Sequence, residues 1–195
     1  MTPQERLTAL LSSEKTRAFK AFCFKQHDEV CNQKYDGKLP YSFHLDIVGK
    51  QAIKYADILD LNLEDSHLVM RGAYGHDLIE DARVSYNDIK SATSYELAEI
   101  IYLCTENKGR NRAARKSKEF YEDLATNRLA VFVKLCDIIS NARYSQLTVS
   151  SMFQKYASEW KNIRLYLSAY KDEFKPLFDD LDMLFFGETV KSNTN

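Results

Sequence analysis

Apolar residues recur every three to four positions along most of this chain, which is the spacing of one face of an α-helix. A first helical segment begins near Pro3, where the missing backbone N–H of proline costs nothing. Residues 32–40, NQKYDGKLP, break the pattern and are predicted to form a loop. The apolar positions before this loop are Leu7, Leu10, Leu11, Phe19, Phe22 and Cys23.

The middle of the chain continues the helical pattern, with a turn at residues 82–85. Ser85 and Ser94 precede two of its helices, and serine is a preferred residue at helix N-termini because its side chain accepts a backbone hydrogen bond there. These helices are expected at about residues 42–58, from Leu63 to His76 and its neighbours, at 85–90 and at 94–104.

The last third begins with a polar loop at 105–111 and a basic helix to about Leu124. Residues 127–142 are apolar almost all round, which predicts a central, buried helix. One long helix or a helix pair should cover 149–186, interrupted at Pro176. Its expected core residues are Trp160, Ile163, Leu165, Leu167 and Tyr170.

Composition agrees with an all-α protein. Six glycines and three prolines in 195 residues are too few for a turn-rich β-sandwich. This length predicts a single domain, expected over residues 1–186, with 187–195 as a frayed tail. The net charge of −1 gives no overall attraction to nucleic acid or to membranes.

The four cysteines, Cys23, Cys31, Cys104 and Cys136, follow no CxxC metal-binding spacing. They are expected to be reduced thiols, with a Cys23–Cys31 disulfide as the alternative. The N-terminus is too polar for a signal peptide, and no apolar run approaches the ~18 residues that span a bilayer. These features predict a cytoplasmic protein that does not enter the membrane.

The segment His76-Asp77-Leu78-Ile79-Glu80-Asp81 concentrates an imidazole and three carboxylates around two apolar residues. A solvated charge run would not need the apolar residues, and a buried one would need a positive charge to neutralise it. A divalent metal ion meets that need. His27 and His67 are interpreted as ordinary helix residues.

Further ligands come from two other segments. Lys134, Asp137 and Asn141 lie on one face of the apolar helix at 127–142, so they must meet polar partners. Asp137 would meet a metal ion held by His76 and Asp77, although pairing with Lys134 or Arg143 is an equal alternative. His44 lies among apolar residues and could complete the site, or be a hydrogen-bonded core histidine.

The order His44, His76-Asp77, Asp137 resembles the ligand set of the HD-domain metal phosphohydrolases. The finer resemblance is to the alarmone hydrolase branch, comprising the hydrolase domain of RelA/SpoT-type proteins and their small single-domain relatives. It covers about residues 20–145. The segments that carry it are PYSFHLDIV (40–48), GHDLIEDA (75–82), Thr105 at the start of a loop, and VKLCDIISNAR (133–143).

This resemblance implies an HD-domain helical bundle with a buried metal site. His44, His76, Asp77 and Asp137 would hold Mn²⁺, with Fe²⁺ or Zn²⁺ as alternatives for two nitrogen and two oxygen ligands. The resemblance also implies that Glu80 and Asp81 orient or deprotonate the attacking water. No synthetase or regulatory region is recognisable, so a stand-alone hydrolase is expected.

Substrate contacts are expected from two groups of residues. Lys134, Asn141 and Arg143 could bind ribose or phosphate. The basic segment 108–118 is either a solvated helix face or a phosphate clamp, with Arg112 and Arg115 as its best candidates. This patch is too short to predict binding of duplex nucleic acid.

The segment 33–39 departs from the alarmone hydrolases, which have an Arg-Lys-Ser-Gly run there whose arginine stacks on guanine. Tyr35 could stack on a base instead, but guanine selectivity does not carry over. Three functions therefore remain open. They are hydrolysis of the 3′-pyrophosphate of ppGpp, hydrolysis of another nucleotide such as a nucleoside monophosphate or NADPH, and a non-catalytic helical interaction module.

Overall fold

The structure, a computed structural model, describes residues 3–106 and 109–187. Helices dominate it, so the prediction of an all-α fold is confirmed. The predicted tail at 187–195 lies outside the described residues except for Gly187. The helices are α1 Pro3–Ser12, α2 Glu14–Lys25, α3 Ser42–Ile58, α4 Leu63–Gly75, α5 Leu78–Asp81, α6 Tyr86–Ala92, α7 Tyr95–Cys104, α8 Arg112–Arg115, α9 Lys118–Leu124, α10 Arg128–Leu147, α11 Met152–Tyr166 and α12 Lys175–Phe186.

Helix α10 is the centre of the fold, as its apolar sequence predicts. Every residue from Leu129 to Ser140 is buried. Helices α3, α4, α7, α11 and α12 all pack against it. The Asn127 side chain caps its start by accepting hydrogen bonds from two backbone N–H groups. The helix runs to Leu147, one turn beyond the predicted end.

Helix α4 packs closely against both α7 and α10. A Cβ atom on Gly72 would lie 2.9 Å from Ile100 Cγ2 and 3.1 Å from Val133 Cγ2. A Cβ atom on Gly75 would lie 2.7 Å from Ile101 Cδ1. The two glycines therefore allow a helix-to-helix distance that a larger residue would prevent, and they set the position of the chain that follows Gly75.

The first helical segment is two helices rather than one. Ser13 breaks it, and the Ser13 hydroxyl accepts a hydrogen bond from the backbone N–H of Thr16. Leu10, Phe19 and Cys23 are buried as predicted, but the break changes the phase of the second helix. Phe22 on α2 is 39% exposed in this arrangement, and Leu11, in the last turn of α1 before the break, is 49% exposed.

The loop after α2 contains more structure than the sequence indicates. Residues Gln26–Val30 form one π-helical turn. A short antiparallel hairpin then joins β1, Lys34–Tyr35, to β2, Leu39–Pro40. Asp36 and Gly37 turn the chain with φ of 51° and 69°, which is the left-handed region that Asp-Gly favours in hairpins.

The C-terminal region also differs in detail. A 3₁₀ turn at Ser168–Tyr170 separates α11 from α12. Pro176 lies in the first turn of α12, where proline starts a helix rather than interrupting one. Trp160, Ile163 and Leu167 are buried, but the prediction of Leu165 as a core residue is wrong because it is 67% exposed.

Two further expectations concern the chain as a whole. All four cysteines are free thiols, so the alternative of a Cys23–Cys31 disulfide is not realised. Across residues 3–106 and 109–187, none of the helices combines the length and the apolar character needed to cross a membrane.

Candidate metal centre

Three helices that pack on one another bring the four predicted ligands together. His44 lies in the first turn of α3, and Asp137 lies in the middle of α10. Helix α4 ends at Gly75, so the predicted extension of this helix through the HD pair is wrong. His76 is instead the C-terminal cap of α4, and Asp77 is the N-terminal cap of α5.

The ligand atoms of His44, His76 and Asp77 all lie within 4.8 Å of one another, and an oxygen of Asp137 lies close to both histidines. His44 Nε2 is 3.2 Å from His76 Nε2. Asp77 Oδ2 is 3.0 Å from His76 Nε2 and 3.5 Å from His44 Nε2. Asp137 Oδ1 is 3.3 Å from His44 Nε2 and 3.6 Å from His76 Nε2. These distances suit ligands around one small cation, whose own bonds to nitrogen and oxygen are about 2.0–2.2 Å long.

The hydrogen bonding of His76 shows which of its nitrogens faces the cluster as an acceptor. His76 Nδ1 lies 2.9 Å from the carbonyl oxygen of Ala73, so Nδ1 carries the hydrogen and donates it. In the neutral ring, Nε2 then presents a lone pair to the oxygen of Asp77 and to Nε2 of His44. Lone pairs facing one another in a buried site require a proton or a metal cation between them.

The charges around the histidines shift their acidity. Burial lowers the pKa of His76, but the carboxylates of Asp77 and Asp137 outweigh it and hold this pKa well above its ordinary value. Burial raises the pKa of Asp137, yet the neighbouring Lys134 ammonium and the imidazoles hold that pKa well below its usual range. The cluster therefore stabilises positive charge at its centre.

Asp137 has further partners on its own helix. Its Oδ2 lies 3.3 Å from the ammonium nitrogen of Lys134, and Asn141 Nδ2 donates a hydrogen bond of 2.5 Å to its Oδ1. The alternative of Asp137 pairing with Lys134 is thus realised together with the cluster. Arg143 lies elsewhere, because its guanidinium donates to Asp180 on α12 and to Gln51 on α3.

Tyr35 supports the cluster directly. Its ring stacks on that of His44 at a centroid distance of 4.9 Å and an angle of 13°. Its hydroxyl donates a hydrogen bond of 2.9 Å to Asn141 Oδ1. The residue considered for stacking on a base therefore already has one ring face against a predicted ligand. Tyr35 and Asn141 also border a small cavity of about 170 Å³ with Asp36, Tyr144 and Tyr156.

Glu80 and Asp81 lie on the short helix α5, at the solvent side of the cluster. The backbone N–H of Glu106 donates to Glu80 Oε2 at 3.0 Å. The Tyr41 hydroxyl lies 2.7 Å from Asp77 Oδ2 and 3.2 Å from Asp81 Oδ2. Partial burial raises the pKa of both Glu80 and Asp81, and the nearby charge of Asp77 acts in the same direction.

The basic segment is largely neutralised by acidic residues. Arg112 forms a two-point ion pair with Glu159 on α11, whereas Arg115 and Lys116 lie 3.6 and 2.5 Å from carboxylate oxygens of Glu106. The same carboxylate is 3.8 Å from Lys134. Arg115 and Lys116 are therefore linked to the cluster through Glu106, and Arg112 is directed toward α11. Lys108 lies outside the described residues.

Sequence reasoning missed three contributors to this site. Tyr41 contacts both Asp77 and Asp81, and the only feature of the sequence that points to it is its position after Pro40. Glu106 neutralises two lysines, but it follows a loop threonine and carries no spacing signal. His27 is fully buried and stacks on Tyr41 at 4.7 Å, with Nδ1 2.6 Å from Gln33 Oε1. His27 thus lies in a helical turn, as interpreted, and it also supports the ring of Tyr41.

Comparison with known proteins identifies the fold. No family model matches the sequence, and no curated protein matches it. A solved structure of a metazoan orthologue of SpoT, described as hydrolysing ppGpp and acting in starvation responses, is similar with a TM-score of 0.68. The two chains are 20% identical, and the match covers 87% of this chain and 94% of the other. This chain therefore shares the helical fold of that protein.

Proposed function

We propose that this protein is a metal-dependent phosphohydrolase that removes the 3′-pyrophosphate from ppGpp in the cytoplasm. The observation that carries the proposal is the convergence of His44, His76, Asp77 and Asp137, which are far apart in the chain, with their ligand atoms facing one another. The shared fold with a protein described as hydrolysing ppGpp supports the substrate.

The residues present fit a divalent metal ion. Two imidazole nitrogens and two carboxylate oxygens suit Mn²⁺, and Fe²⁺ or Zn²⁺ also accept this donor set. When bound, such an ion lowers the pKa of a coordinated water and polarises a phosphoryl oxygen. His76 is prepared for this role because its Nδ1–H is held by a backbone carbonyl, as second-shell hydrogen bonds usually hold metal-binding histidines.

The acidic residues on α5 provide the base. Hydrolysis forms a bond from the water oxygen to the phosphorus attached to the ribose 3′-oxygen, and the bond between that phosphorus and the 3′-oxygen breaks. Pyrophosphate is released, and the 3′-oxygen takes up a proton to become the ribose hydroxyl. Glu80 or Asp81 accepts the proton that the water loses. Their raised pKa values bring them closer to neutral pH, where a general base works best.

The buried lysines provide positive charge for the substrate phosphates. Lys134 and Lys116 are both buried or nearly so, and they share the Glu106 carboxylate beside the predicted metal ligands. Together with Arg115, these lysines place three positive charges beside the carboxylates of Glu106 and Asp137, and a substrate phosphate would neutralise the remaining one. Asn141 and Arg143 stay candidates for ribose or phosphate contacts.

One observation favours a different nucleotide. Tyr35 stands on the hairpin where the alarmone hydrolases have basic residues, and it is engaged with His44 and Asn141. The same catalytic groups could then act on NADPH or a nucleoside monophosphate, releasing phosphate rather than pyrophosphate.

A product assay separates these substrates. Purified protein with Mn²⁺ should release pyrophosphate from ppGpp, and EDTA should abolish the release. NADPH and GMP, tested in parallel for free phosphate, serve as the alternative substrates. Release of phosphate from NADPH or GMP, without release of pyrophosphate from ppGpp, would show that the substrate is that nucleotide and not ppGpp. If metal-loaded protein releases no product from any of these nucleotides, the proposal that it is a hydrolase is rejected.

A further inference from the structure

A large cleft of about 1240 Å³ lies between α2, α4, α6 and the start of α7. None of the residues predicted for the metal site lines it. We propose that this cleft is a second binding site, for a small amphiphilic monoanion with an extended apolar body and one carboxylate or phosphate headgroup. The proposal does not rest on the hydrolase activity.

Two helices provide the walls of this cleft. Residues from Lys15 to Phe22 on α2 face residues from Glu64 to Arg71 on α4, at the spacing of one helical face in each case. The apolar side chains of Phe19, Phe22 and Leu68 dominate the lining, and Phe22 leaves 39% of its surface exposed there. Small residues in the lining, including the exposed Ala18, leave room in the cleft for a ligand. An apolar ligand body would cover this surface.

Arg71 supplies a positive charge within the cleft. The residue is half-buried, and its Nε donates to the carbonyl oxygen of His67 at 3.3 Å. Burial alone lowers its pKa, and among the described residues no carboxylate forms an ion pair with it. A guanidinium has five N–H donors, so four are available to a ligand. Because a partly desolvated charge without a counter-ion is costly, an anionic headgroup is the favourable partner.

The remaining polar groups favour a single negative charge. The N-terminus of α7 borders the cleft, but Ser94 and the carboxylate of Glu96 already cap it, so Arg71 is the group that binds the anion. Burial and the charge of Arg71 lower the pKa of His67, so this ring is neutral at neutral pH. The carboxylates at the cleft, Glu64, Asp88 and Glu96, all belong to exposed residues, and they would repel a polyanion such as ppGpp at the rim.

Calorimetric titration of the full chain with octanoate and with 1-octanol tests the proposal. Wild-type protein should bind octanoate more tightly than octanol. Replacing Arg71 with Gln should weaken octanoate binding about tenfold, as expected for the loss of a charged hydrogen bond, and leave octanol binding unchanged. Arg17→Gln is the matched control, because Arg17 is an exposed arginine on α2 that does not line the cleft.

A second variant tests the apolar part without a change of charge. Ala18→Trp places an indole ring against the apolar wall of the cleft and should weaken binding of both probes, while Mn²⁺ binding and the circular dichroism spectrum stay as in the wild type. Equal octanoate affinity in Arg71→Gln and Arg17→Gln would overturn the proposal. So would octanol binding as tight as octanoate, or undiminished binding in Ala18→Trp.

Discussion

Tyr41 joins two acidic residues with different predicted roles. Its hydroxyl is 2.7 Å from the oxygen of Asp77 that faces the histidines, and 3.2 Å from an oxygen of Asp81. The ring is held by stacking on His27, which is itself fixed by Gln33. The hydroxyl therefore orients a predicted metal ligand from outside the ligand set, as second-shell groups do.

Replacing Tyr41 with Phe removes only this hydroxyl. We expect Mn²⁺ binding to weaken about tenfold, because Asp77 loses the hydrogen bond that orients it. Calorimetric titration with Mn²⁺ measures the change. Tyr170→Phe is the control, since its hydroxyl donates to the carbonyl oxygen of Ala125, far from the ligands. Equal affinities in the two variants would show that the Tyr41 hydroxyl does not support the site.

Glu80→Gln and Asp81→Asn test the division between metal binding and proton transfer. Both variants should bind Mn²⁺ like the wild type, because neither carboxylate belongs to the predicted ligand set. At least one should lose roughly 100-fold or more in turnover of the hydrolysed nucleotide, the usual loss when a general base is removed. Glu119→Gln, on the exposed face of α9, is the control. Full activity in both variants would place the base elsewhere.

The sequence allowed the predicted ligands to be selected, but not most of their supporting contacts. His76 and Asp77 stand out as charged residues beside apolar ones, and Asp137 as an acid on an apolar helix. Tyr41 and Glu106 act through contacts between distant segments, which no spacing reveals. The sequence favours Tyr35 as a base-stacking residue, whereas the structure shows its ring against His44.

At the level of helices, hydrophobic periodicity predicted where most elements lie and which one is central. It failed where helices break, because apolar spacing alone does not show a change of phase. Ser13 ends α1 and shifts the buried face of α2, and the chain leaves α4 at Gly75 before the HD pair. That second break matters for function, since it turns Asp77 and α5 toward the ligands from α3 and α10.

Gly72 is the point where this arrangement of helices is tightest. Ala would ordinarily favour a helix by about 1 kcal/mol over Gly. Here its Cβ would lie 2.9 Å from Ile100 Cγ2, so we expect Gly72→Ala to lower the free energy of unfolding by about 1–3 kcal/mol through overpacking. Urea denaturation measures this change, with Ser158→Ala on the exposed face of α11 as control. A stabilised Gly72→Ala variant would show that the helices can separate at no cost.

The whole molecule is organised so that α3, α4 and α10 meet at a buried cluster of charged residues inside a largely apolar core. The all-α class and the central helix followed from composition and pattern. The large cleft beside α2 and α4 could not be predicted from the sequence, because it depends on how the exposed faces of separate helices are placed. The single domain expected over residues 1–186 stays a prediction.

The central claim is that four side chains hold one divalent metal ion, and calorimetric titration with Mn²⁺ tests it most directly. The wild type should bind one Mn²⁺ per chain, and Asp137→Asn should bind it roughly 100-fold more weakly or not at all. Asp182→Asn is the matched control, because Asp182 is an equally buried carboxylate bonded to Trp160 and Arg164, away from the cluster. Its affinity should equal that of the wild type. No binding by the wild type, or equal binding by Asp137→Asn, would contradict the account.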